Sequence, residues 1–132
     1  MKLLVFAARI MLGLLFMAFG LNHVMNNSLL HLPIMTGDGG AMMGMMFVHK
    51  WLVLYGVIET AAGMMLFLGR FVPLALTLLA GIILNVTLFH VTLALPGLQM
   101  AIFLILGELI LVYAYRNSFA GIFAAKAEGS LV

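Results

Sequence analysis

The chain contains no cysteine and very little charge. Of its 132 residues, only 8% are Asp, Glu, Lys or Arg, whereas 66% are hydrophobic, and the mean hydropathy is +1.28. The absence of cysteine excludes disulfides and any protein thiol from whatever chemistry the chain supports. The shortage of charge excludes an ordinary soluble domain, in which about 25% of residues are charged. The composition therefore indicates an integral membrane protein.

Four apolar stretches predict four membrane-spanning helices, because about 20 apolar residues cross about 30 Å of hydrocarbon. The predicted spans cover about 3–24, 47–68, 73–95 and 98–115. We expect one all-α membrane domain, a four-helix bundle made of two antiparallel hairpins. An outer loop at 25–46, with a flexible break at its glycine-rich centre, and a tail at 116–132 complete the chain. The first stretch is too long for a cleaved signal peptide and is interpreted as a retained helix.

The basic residues predict how the chain crosses the membrane. Lys2, Arg70, Arg116 and Lys126 all fall at the end of the bundle that carries both termini, whereas Lys50 falls at the opposite end. Since cytoplasmic loops carry the excess of lysine and arginine, both termini are expected to be cytoplasmic. The net charge of +2 follows from this rule and gives no reason to expect a nucleic-acid partner.

A faint internal repeat accompanies this pattern. GLLFMAFGLNHV at 13–24 resembles GIILNVTLFHV at 81–91, and each places a histidine, His23 or His90, near the outer end of an odd-numbered span. Each even-numbered span carries one mid-membrane glutamate. Two hairpins in the same orientation, related by an axis along the membrane normal, would produce such a pattern. Leucine-rich segments also resemble each other by chance, so both interpretations stay open.

The two mid-membrane glutamates, Glu59 and Glu108, are the most informative polar residues. An ionisable side chain at the bilayer centre costs about 2.5–3.5 kcal/mol and usually faces a partner inside the bundle. Counting residues from the span ends places Arg9 within about 5 Å of both glutamates along the membrane normal. We therefore predict a buried cluster in which Arg9 bridges towards Glu59 and Glu108 shares the arginine or is protonated. Asn85 at similar depth, Tyr55 one turn from Glu59, and His90 nearer the outer face are further candidates for ligand binding or proton handling.

One arginine cannot neutralise two buried carboxylates, so at least one glutamate is predicted to be neutral at pH 7. A structural interpretation stands beside this one. Arg9 could extend to the cytoplasmic surface, while the glutamates fix the bundle by hydrogen bonds across helices. Gly56 and Gly63 flank Glu59 at the spacing of close helix contact, which fits that alternative.

Metal and haem sites have weak support. His23 and His90 would be the candidate pair, together with His31 and His49 nearby, because imidazole is a common metal ligand. Thioethers suit copper(I), and the run of methionines at 42–46 lies close in sequence. Methionine more often serves as packing or lipid-facing material. No metal ligand is assigned.

Several short motifs resemble the DoxX and DoxX-like family of small four-span bacterial membrane proteins. The similar segments are ARIMLGLLFMAFGLNHV at 8–24 and GVIETAAGMMLFLGRFVPLALTLLAGIIL at 56–84. The positions that match the family pattern are Arg9, Gly13, Phe16, Gly20, Glu59, Gly63, Gly69 and Arg70. The resemblance implies the bacterial cytoplasmic (inner) membrane and an association with membrane oxidoreductase complexes.

Three hypotheses follow for function. The first is an accessory subunit of a membrane redox system that interacts with a quinone or another small apolar ligand, with Glu59 or Glu108 relaying a proton and a redox protein as partner. The second is a small-molecule or proton-coupled transporter, and the third a structural or chaperone-like membrane partner. Whether the chain is an enzyme stays open, no catalytic residue is assigned, and a homo-oligomer is plausible.

Overall fold

The computed structural model describes residues 1–126, and they form a helical bundle. Five α-helices are present in this range: α1 (Lys2–Val24), α2 (Gly37–Val48), α3 (Trp51–Leu68), α4 (Val72–Thr92) and α5 (Leu98–Ala114). Short 3-10 helices cover Leu95–Gly97 and Arg116–Phe119. Four helical segments, α1, α3, α4 and Leu95–Ala114, are long and apolar enough to cross a membrane. The all-α class and the presence of four helices capable of spanning a membrane are confirmed, while the end of the predicted tail lies outside the described residues.

The four long helices form a closed ring. Helix α1 packs against α3 and α5, and α4 packs between α3 and α5, so the order around the bundle is α1, α3, α4, α5. The contact between α1 and α3 is the most extensive of these. The shorter helix α2 packs against α3. A ring of this kind encloses an interior into which polar side chains can turn away from lipid.

Glycines allow α1 and α3 to approach closely. A Cβ atom placed on Gly13 would lie 2.9 Å from the carbonyl oxygen of Gly63, and one on Gly20 would lie 2.7 Å from that of Gly56. No side chain fits at these two crossings. Small residues at a helix contact are the usual way in which membrane helices gain packing, since lipid provides no hydrophobic force between them. The predicted role of Gly56 and Gly63 in close helix contact is confirmed.

The connection between α3 and α4 is set by local sequence. Gly69 ends α3 in the left-handed conformation with φ 68°, and the amide of Arg70 donates to the carbonyl oxygen of Met65 at 3.0 Å. This pattern closes a helix and satisfies its last carbonyl groups. Pro73 then falls in the first turn of α4, where its missing N–H has no consequence.

The outer loop differs from the sequence-based expectation. The glycine-rich stretch predicted as a flexible break forms the start of α2 at Gly37, and the second span begins at Trp51 instead of residue 47. Lys50, with φ 62°, separates the two helices. The run from Ala41 to Val48 is apolar, and a helix satisfies its own backbone hydrogen bonds, which an apolar setting requires.

Candidate functional site

A cavity of about 180 Å³ lies in the half of the bundle farthest from the termini. All four long helices contribute to its walls, and α2 covers it. Its polar lining residues are His23, Tyr55, Glu59, Asn85 and His90. Its apolar lining includes Phe16, Phe19, Leu32, Met35, Met42, Met43, Met46, Leu52, Val86, Phe89, Met100 and Leu104. The interior is thus mostly apolar with a few convergent polar groups, the usual composition of a small-molecule site.

A histidine–glutamate pair forms the polar wall of the cavity. His23 Nδ1 lies 2.7 Å from Glu59 Oε2, and Glu59 is only 4% exposed. Side chains on a helix lean towards its N-terminus. Because α1 and α3 are antiparallel, His23 leans down towards Glu59 while Glu59 leans up towards His23. The two side chains therefore converge although they belong to different helices.

Asn22 holds the chain beside this pair. It is completely buried, its Oδ1 accepts hydrogen bonds from the amides of Leu29 at 3.1 Å and Leu30 at 2.8 Å, and its Nδ2 donates to Asn27 Oδ1 at 3.1 Å. One side chain thus ties the turn after α1 to the last turn of the helix. Since His23 is the next residue, the same contacts fix its position.

His90 has a defined hydrogen-bond role at another part of the wall. Its Nδ1 lies 2.8 Å from the carbonyl oxygen of Ala94. A carbonyl oxygen can only accept, so Nδ1 is the donor and Nε2 of a neutral ring is an acceptor. Tyr55 and Asn85 complete the polar set, and both also line a neighbouring cavity of about 470 Å³ beside Trp51 and α2. Four of the six predicted candidates thus meet at one site: Tyr55, Glu59, Asn85 and His90.

Arg9 does not join this site, so the predicted Arg9–Glu59 contact is wrong. Its guanidinium lies against Gly69, at the far end of α3. Gly69 follows Glu59 by ten residues, or about 15 Å along the helix. The reason is again side-chain direction: Arg9 on α1 leans towards the termini, whereas Glu59 on α3 leans the other way. Arg9 instead extends towards the end of the bundle that carries the termini, as the structural interpretation of the sequence predicted.

Glu108 makes no hydrogen bond with Arg9 and is not among the residues that line the cavity. It is 6% exposed, and among residues 1–126 neither of its carboxyl oxygens has a hydrogen-bond partner. The predicted three-residue cluster is therefore not formed. Glu59 has His23 as its partner. The predicted neutral carboxyl is therefore assigned to Glu108, because no hydrogen-bond partner within residues 1–126 would stabilise its ionised form.

The sequence did not identify His23 as the partner of Glu59. It was singled out only as a weak metal candidate with His90, and both line the cavity. Within the described range, no three His, Asp or Glu side chains form a group that could hold a metal ion. The sequence did contain a signal for this pair, because His23 lies in the first predicted span and Glu59 in the second, and consecutive spans are usually neighbours. The covering role of Met42, Met43 and Met46 had no comparable signal.

Comparisons with protein-family models, curated proteins and solved structures find no match to this chain.

Proposed function

We propose that this chain binds a small ring-shaped apolar ligand of the quinone class in the cavity and exchanges a proton with it through His23 and Glu59. The observation that supports the proposal is the 2.7 Å His23–Glu59 pair in the wall of an otherwise apolar cavity. A cavity of about 150 Å³ is large enough to bind benzene, so the 180 Å³ here suits one substituted ring.

The pair has the chemistry that such a ligand requires. A carboxylate that accepts a hydrogen bond from Nδ1–H fixes the orientation of the imidazole ring. Nε2 of His23 is then left for the ligand, and in the charged ring it donates to a carbonyl oxygen. When that oxygen gains electron density, the proton moves from Nε2 to the oxygen, and a neutral imidazole stays bonded to Glu59. Tyr55 and Asn85 supply further hydrogen bonds to a second oxygen.

The opposite half of the bundle favours a binding site over a transport path. Below the cavity, towards the termini, five leucines from all four long helices are almost completely buried: Leu12, Leu66, Leu76, Leu79 and Leu111. Their side chains fill much of the interior, and the buried polar side chain near this level is Glu108, a single carboxyl without a hydrogen-bond partner among residues 1–126, which does not form a continuous polar path for a hydrated solute. Membership of the DoxX-like family would fit this role, with a partner redox protein supplying the electrons.

Ligand binding can be measured with the only tryptophan of the chain. Trp51 lines the cavity that shares Tyr55 and Asn85 with the proposed site. A short-chain benzoquinone should quench its fluorescence in the purified protein. We expect Glu59→Gln to weaken binding by about tenfold or more, because a hydrogen bond to a charged group contributes about 1.5–3 kcal/mol.

Glu108→Gln is the matched control, since it makes the same change at a buried glutamate that does not line the cavity. It should bind the quinone as the unmodified protein does. Equal binding by all three proteins would contradict the proposal, as would quenching that never saturates. Proton flux into liposomes that Glu59→Gln abolishes would favour a transporter instead.

A further inference from the structure

The end of the bundle that carries the termini holds a second feature, which the proposed ligand site does not use. A cavity of about 730 Å³ lies between the first turns of α1 and the last turn of α5. Three basic side chains line it, Lys2, Arg9 and Arg116. Lys2 and Arg9 lie two turns apart on α1, and the fold brings Arg116, which follows α5, beside them.

Arg9 is the most informative of these. It lies seven residues into α1, about 10 Å from the start of the helix. An arginine at that depth is costly without a counter-charge. Its observed neighbours are the ring of Phe6, with the guanidinium carbon 5.6 Å from the ring centroid, and the backbone at Gly69. Neither supplies a full negative charge.

The acidic residues within 1–126 lie elsewhere. Asp38 belongs to α2 at the opposite end of the bundle, Glu59 is paired with His23, and Glu108 does not line this cavity. Three cations thus face one space to which none of these carboxylates contributes. Such an arrangement favours binding of an anion that does not belong to residues 1–126.

The walls of the cavity indicate what kind of anion. Leu4, Val5, Phe6 and Ile110 provide an apolar surface beside the cations. Arg116 stacks over the ring of Tyr113, with its guanidinium carbon 4.6 Å from the centroid, and donates to the Tyr113 carbonyl oxygen at 2.9 Å. These contacts hold the guanidinium at the level where α5 ends, which is where lipid headgroups lie if the four helices span a bilayer.

We infer that this cavity binds the headgroup phosphate of an anionic phospholipid, with Lys2, Arg9 and Arg116 around the phosphate and the apolar wall along the acyl chains. Arginine matches the geometry of phosphate oxygens and binds them through paired hydrogen bonds. Basic pockets between membrane helices are a recognised setting for anionic headgroups. An inorganic anion would use the cations but would gain nothing from the apolar wall.

The test is the Kd of a fluorescent phosphatidylglycerol for the purified full-length protein in detergent. Arg9→Gln and Arg116→Gln should each weaken binding by about fivefold or more, since each removes one charge from the phosphate. Arg70→Gln is the matched control, because Arg70 lies at the same end of the bundle but does not line the cavity. It should change the Kd by less than about twofold.

Competition distinguishes the sources of the phosphate. Unlabelled phosphatidylglycerol should displace the probe, whereas phosphatidylcholine and inorganic phosphate should not at the same concentration. Equal weakening by all three arginine changes would overturn the inference, because it would reflect only the total charge of that end. Displacement by inorganic phosphate would overturn the assignment to a lipid. Should Arg9→Gln fail to fold, Arg116→Gln and Lys2→Gln, both at exposed positions, decide the question.

Discussion

At the scale of single residues, the direction of a side chain decides which polar groups meet. Arg9 and Glu59 lie on antiparallel neighbours, and each leans towards the N-terminus of its own helix, so their charged ends move apart. His23 and Glu59 lean towards each other and meet at 2.7 Å. A depth estimate that counts only Cα positions misses this difference, because a long side chain displaces its charge by a turn or more.

Glu108 gives a prediction at this scale. Its carboxyl oxygens are buried without a partner among residues 1–126, so the neutral acid is the less costly form. The infrared spectrum of the protein at pH 7 should contain the carbonyl stretch of a protonated carboxyl. The band should disappear in Glu108→Gln and persist in Glu59→Gln. A band that behaves in the opposite way would place the proton on Glu59.

At the scale of helices, the α1–α3 contact holds the site together. The glycine crossings bring the two backbones close enough for the short side chains of His23 and Glu59 to reach each other. The contact was partly visible in the sequence, since Gly13 and Gly20 repeat at the same interval as Gly56 and Gly63. Which glycine faces which was not, because the register of two antiparallel helices depends on the loop between them, and that loop contains an extra helix.

Substitution of Gly13 tests the importance of this contact. A methyl group at Gly13 would lie 2.9 Å from both the Gly63 carbonyl oxygen and the Phe67 amide, so Gly13→Ala must push α1 and α3 apart. We expect the free energy of unfolding in detergent to fall by about 1–3 kcal/mol, as overpacking typically causes.

Gly81→Ala is the control for that experiment. Gly81 lies within α4, and a Cβ atom there would meet nothing within 4 Å. The change should leave stability unaltered or raise it by up to about 1 kcal/mol, because alanine is the better helix former. Similar destabilisation by both changes would mean that the glycine crossings have no special role.

At the scale of the whole molecule, the bundle is divided into two unlike halves. The half away from the termini contains the cavity with its histidine–glutamate pair and is covered by α2. The half near the termini is closed by leucines and ends in the basic cavity around Arg9. The residues aligned by the apparent repeat have different surroundings in the two hairpins, since His23 bonds to Glu59 whereas His90 bonds to the Ala94 carbonyl.

The orientation of the molecule in the membrane is a prediction that the lack of cysteine makes easy to test. Single cysteines introduced as Asp38→Cys and Lys50→Cys should react with a membrane-impermeant maleimide in intact bacterial cells. Arg70→Cys and Lys126→Cys should react only after permeabilisation, because the excess of basic residues keeps their end cytoplasmic. The reverse labelling pattern would show that the positive-inside rule does not govern this chain.

The sequence by itself indicated a lipid environment and determined the coarse architecture. A charged fraction of 8% and four apolar stretches leave no alternative to a membrane helix bundle, because burial of apolar length against lipid dominates the free energy. It also identified Glu59, Asn85, Tyr55 and His90, because a polar side chain inside a span is costly enough to be conspicuous. Only the tertiary structure decided which of these polar side chains contact each other. Pairing depends on helix register, side-chain direction and the helix in the outer loop, and none of these changes the hydropathy pattern.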